Sequence, residues 1–71
     1  MMSKEVVTHI LEDTEATRRY PFTRETLDKI ADIRRAKEKE YNDGDAERAH
    51  MVPAPVVIAE AVDVLHEKYF P

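Results

Sequence analysis

Cysteine is absent from the 71 residues. Disulfides therefore cannot staple the fold, thiolate metal clusters are excluded, and nothing points to an oxidising compartment. Glycine occurs once, at Gly44, and serine once, at Ser3. A single glycine cannot build a loop that cradles phosphates, and a lone serine near one end offers no nucleophilic arrangement. No apolar run approaches the ~18 residues of a membrane span, and Met1 to Ile10 lacks the basic start and long apolar stretch of a secretion signal. A cytoplasmic protein is the expectation. Positive charge is also short: eleven Lys and Arg face fifteen Asp and Glu, for a net charge of −4. That balance argues against bulk, non-specific nucleic-acid binding but leaves room for a local basic patch.

What remains is 42% hydrophobic and 37% charged, with four prolines, a composition that suits helices. A chain of this size buries only about 60% of the surface its unfolded form exposes and is marginal alone. One small fold, completed by a second copy of itself, is the economical answer.

Residues 1–16 read as an acidic arm. Val6, Val7, Ile10 and Leu11 fit a short amphipathic helix capped by Ser3, and the β-branched run Val6-Val7-Thr8 fits a strand equally well. Glu12, Asp13 and Glu15 read as a solvated lead-in. From Thr17 to Thr23 the alternation of Tyr20 and Phe22 against Thr17, Arg19 and Pro21 makes a short strand candidate, limited by Pro21, which lacks the N–H a ladder needs.

Thr23 is placed to cap a helix that starts with Arg24 and Glu25. Leu27, Ile30, Ala31, Ile33 and Tyr41 recur on one narrow stripe of it, flanked by Arg34 and Lys37. Asn42-Asp43-Gly44 is the natural stop, Gly44 suiting a left-handed cap. Asp45 to Met51 is polar, fitting a loop or an extra helical turn. Val52-Pro53-Ala54-Pro55 must be extended or turning, with Pro55 well placed in a first helical turn. The final segment, Val56 to Phe70, carries a broad apolar arc of Val57, Ile58, Ala61, Val62, Val64, Leu65 and Tyr69. An arc that wide needs cover on more than one side.

Two stretches, Arg18 to Ile30 (R-R-Y-P-F-T-R-E-T-L-D-K-I) and Val52 to Val62 (V-P-A-P-V-V-I-A-E-A-V), resemble the ribbon-helix-helix DNA-binding family of the Arc, MetJ and CopG repressors. The first is similar to that family's strand running into its first helix, the second to its pattern V-S-x-S-x-V-I-x-E-A-[IL]. The resemblance implies a mainly α ribbon-helix-helix fold over residues 17–71: a short N-terminal strand paired in an intertwined homodimer, followed by two helices. It further implies a transcriptional regulator, of antitoxin or plasmid-maintenance type, with double-stranded DNA and a toxin or other protein as partners and no cofactor. Tyr20, Phe22, Leu27, Ile30, Val57, Ile58, Ala61, Val62, Leu65 and Tyr69 would build the dimer core. Thr17 and Arg19 would face the major groove, where a guanidinium can grip guanine. A one-residue change of register would put Arg18 there instead. Arg24 and the backbone at Ala54 and Val56 would hold phosphates.

Three departures stand out. Pro53 and Pro55 replace the two serines of the pattern, removing hydroxyls and N–H donors. The stretch from Ala36 to Met51 exceeds the family's usual short turn, implying a longer first helix or an inserted loop. The arm is acidic where DNA-binding relatives are often basic. The rival reading is a helical protein-interaction module without nucleic-acid binding.

Other features have plainer readings. Arg34, Arg35, Lys37 and Lys39 alternate with Glu38 and Glu40 and read as a solvated face. His9, His50 and His66 are too scattered for a recognisable metal site and read as structural or surface residues. No catalytic residue is expected.

Overall fold

The computed structural model describes residues 4–71, so Ser3, considered as a helix cap, lies outside them. The elements run β1 (Glu5–Thr8), α1 (Arg24–Asp43), β2 (Arg48–Met51) and α2 (Ala54–Tyr69). The fold is mainly helical, with a strand ahead of two helices, as expected; the small sheet within the single chain is not. The strand lies elsewhere than expected.

Of the two options for the arm, the strand is realised. Glu5–Thr8 pairs in parallel with Arg48–Met51, Glu5 opposite Arg48 and Thr8 opposite Met51. The His9 N–H extends the ladder to the Met51 carbonyl at 2.9 Å. A parallel pair needs a long crossover, and α1 lies within it. Asp45–Met51, read as a loop or helical turn, thus supplies the second strand. Thr17–Thr23, read as the strand, is exposed, takes no regular structure and joins no ladder among the described residues. Among the described residues no strand lies beside it, and Pro21 has no donor to offer one.

Both helices begin where local chemistry puts them. Thr23 is the α1 cap, its hydroxyl oxygen accepting from the Thr26 N–H at 3.1 Å. At the other end Gly44 has φ −88°, not the left-handed cap expected, and a Cβ there would meet the Glu40 and Tyr41 carbonyls at an ordinary 3.7 Å. Asp45 makes the turn instead. Its carboxylate accepts the N–H groups of Glu47 and Arg48 at 3.1 Å and directs the chain into β2. α2 starts on Pro53 with Pro55 in its first turn and no side-chain cap.

The core is small. Val52 is fully buried and Val57 nearly so, while fourteen large apolar side chains stay exposed among the described residues. The chain exposes 6526 Å², whereas a folded monomer of 8.2 kDa exposes about 4,500 Å². Its radius of gyration is 14.5 Å, against about 11 Å for a compact chain of this length.

Candidate functional site

Residues 17–24 form the approach to α1 and carry the arginines singled out from the sequence. Thr17, Arg18, Arg19 and Arg24 are all exposed. Arg18 donates to the neighbouring Thr17 carbonyl at 3.2 Å. Arg24 pairs with Asp28 one turn along α1 at 3.1 Å, an exposed pair of little energetic weight. Arg19 makes no ion pair among the described residues.

The start of α2 lies close by. Thr17, Arg18, Tyr20 and Phe22 line one open, largely apolar groove of about 660 Å³ together with Pro53, Pro55, Ile58, Ala59 and the Thr8–Leu11 stretch. The structure therefore brings the ribbon candidate and the helix start to one face. At that helix start Ala54 and Val56 are half-buried. The Val56 N–H already donates to the Pro53 carbonyl at 3.1 Å, and Pro55 has none, which leaves the Ala54 amide as the free donor of the three.

The expected dimer-core residues divide along α2. Val57 is buried and Ile58 half-buried, whereas Ala61, Val62, Leu65 and Tyr69 are exposed. Leu27 is exposed, Ile30 half-buried, and Tyr20 and Phe22 are exposed. A second open groove, about 540 Å³, runs between the helices and is lined by Ile33, Val57, Ala61, Val64 and Leu65, with Lys37, Glu60 and Lys68 around them. Lys37 bridges to Glu60 and ties α1 to α2. Its pKa is raised, first by the hydrogen bond to Glu60 and against partial desolvation.

The supposed solvated face of α1 proves two-sided. Arg35 pairs with Asp32 and Lys39 with Asp43 in solvent, as read. Arg34 and Glu38, four apart and so on one face, turn inward and clamp the fully buried Val52. The Arg34 Nε–H donates to the Val52 carbonyl at 2.7 Å, and Glu38 Oε2 accepts the Val52 N–H at 2.8 Å. Proline at 53 ends any strand pairing at this point, so side chains satisfy the buried peptide groups that a ladder would otherwise hold.

Beside this clamp lies a cluster that scattered sequence positions hide. His9, just after β1, and His50, within β2, are hydrogen-bonded Nε2 to Nδ1 at 2.9 Å. The Nε2–H of His50 donates to Asp45 at 2.9 Å. Arg48 Nε–H donates to the same carboxylate at 2.9 Å, and Asn42 accepts the His50 N–H at 2.7 Å. The Tyr41 ring lies 4.4 Å from the His9 ring and 5.5 Å from that of His50. The hydrogen bond from His50, then the amides of Glu47 and Arg48 and the Arg48 guanidinium, hold the Asp45 carboxyl well below the usual carboxylate range despite partial desolvation. Its folded pKa is depressed, so its contribution is present at neutral pH and is lost only in strong acid. Among the described residues no group of three or more His, Asp or Glu is placed to hold a metal ion. No helix among them is long and apolar enough to cross a membrane.

Over residues 1–71 the chain belongs to a family of unknown function, DUF7195. No curated protein and no solved structure matches it.

Proposed function

We propose that this member of DUF7195 acts as a homodimer that reads double-stranded DNA, in the manner of a small transcriptional regulator. One observation supports the reading: Thr17–Thr23 is exposed and without a ladder partner among the described residues, runs directly into the capped start of α1, and shares a face with the start of α2. Two such segments, one from each copy, supply an antiparallel ribbon. Each copy exposes roughly 2,000 Å² beyond what its mass predicts, more than the ~800 Å² per partner that a standard interface buries. In the dimer Tyr20 and Phe22 turn toward the exposed arc of α2, and Arg18 or Arg19 faces the groove. Arg24 and the Ala54 amide hold phosphates.

A second reading has its own observation. Pro55 and the engaged Val56 amide leave little at the α2 start to hold a phosphate, and the net charge is −4. A dimer that binds another protein through the same exposed face fits those facts.

Sedimentation equilibrium followed by a DNA titration across salt concentrations separates the outcomes. The expected result is a dimer whose DNA affinity falls with a log–log slope near −0.9 per neutralised phosphate. Arg19→Ala is expected to weaken binding at least about tenfold with the dimer intact. A folded monomer sinks both readings, and a dimer that binds no DNA leaves the second.

A further inference from the structure

The cluster around His50 has no place in either reading, and its hydrogen-bond arithmetic is restrictive. An ionised carboxylate only accepts, so Asp45 fixes a proton on Nε2 of His50. A neutral His50 then presents a bare Nδ1, and His9 fills it with its Nε2–H. The gap between the rings holds one proton. His9 can take a second proton on its other nitrogen and keep the bond. With His9 charged, a further proton on Nδ1 of His50 has no place: both rings would be cationic, N–H set against N–H at 2.9 Å.

We infer that Asp45, His50 and His9 form a proton-gated latch that holds β1 on β2 near neutral pH and releases it in weakly acidic solution. β1 has few other attachments. It is four residues long with only Val7 half-buried, and beyond its pairing with β2 it is followed by the single His9 N–H to Met51 bond. Isolated two-stranded pairs are marginal in water.

The surroundings bias the latch the same way. From β2, Arg48 brings a third positive group to the shared carboxylate, with Glu5 of β1 opposite it in the register. From α1, Tyr41 packs on both rings, Asn42 accepts the His50 amide, and Glu38 is committed to Val52. Among the described residues no group of α2 hydrogen-bonds either ring. Asp45 stays ionised throughout the relevant window, because its carboxyl is held low. The change therefore belongs to the two imidazoles and not to the carboxylate. Opening is linked to uptake of one extra proton, so its equilibrium rises up to about tenfold per pH unit as the solution becomes acidic.

Amide hydrogen exchange, corrected for the intrinsic pH dependence, reads this directly. Between about pH 7.5 and about pH 5 the His9 and Val7 amides should lose at least about tenfold protection while mid-α1 amides keep theirs. His9→Gln should keep β1 docked and abolish the response, because a rotating amide can offer His50 either a donor or an acceptor. His66→Gln, at the far end of α2 against Phe70, should retain it. A flat wild-type profile, an undiminished response in His9→Gln, or a lost one in His66→Gln overturns the latch. Imidazole NMR guards against a His9→Gln variant that fails to dock: at neutral pH the His50 proton must sit on Nε2, and finding it on Nδ1 overturns the proposal by itself.

Discussion

The two halves of this chain are finished to different degrees. Around Val52, α1 turns Arg34, Glu38 and Asn42 onto the backbone of β2 and its exit, and β1 adds a strand and a histidine. Among the described residues no buried side-chain nitrogen or oxygen lacks a partner. Along residues 17–23 and the second half of α2 the opposite holds: Tyr20, Val62, Leu65 and Tyr69 are each more than half exposed, and residues 17–23 join no ladder among the described residues. The first half is closed by hydrogen bonds to named side chains, whereas the second keeps its apolar side chains open among the described residues. Apolar area left open on this scale is characteristic of an interface rather than of a monomer surface.

Substitutions on either side sharpen the contrast. Leu65→Asp should have the largest effect, raising the dimer dissociation constant at least about 30-fold by placing a charge in the proposed interface. The β1–β2 amides should keep their exchange protection, and their loss would mean that the two halves are not separate. Glu38→Ala acts on the finished side. It strands the Val52 N–H and should cost about 1–3 kcal/mol in chemical denaturation, with Glu38→Gln recovering most of that because its carbonyl still accepts. Thr23→Ala lies at the joint between the halves and should cost about 1 kcal/mol through the lost α1 cap. A much larger loss, dependent on protein concentration, would show that the cap also sets the ribbon.

The two helices were legible because their signals are local. Thr23 with Glu25, the stripe through Leu27 and Ile30, and Pro55 ahead of the Val57–Leu65 arc are read within a turn or two of the chain. The strands were not. β2 is Arg-Ala-His-Met, with neither alternation nor β-branching, and becomes a strand because Asp45 turns the chain and Asn42 holds its His50 amide. The Tyr20–Phe22 alternation looked more like a strand than β2 does, yet in a single chain it has no neighbour to pair with. Arg34 and Glu38 were read as solvent-facing because sign alternation on a helix usually means that. Only the distant Val52 peptide gives them another task. His9 and His50 stand far apart in sequence and meet through the register of β1 on β2.

That register also orders events in time. Glu5 and Arg48 are partners across 43 positions (48 − 5), so during synthesis β1 leaves the ribosome long before its mate exists. Closing so long a loop costs chain entropy that a preformed α1, spanning much of the interval, would reduce. The strand made first is therefore the last to find its place, and until β2 arrives the newborn chain carries Val6 and Val7 as an unpaired edge.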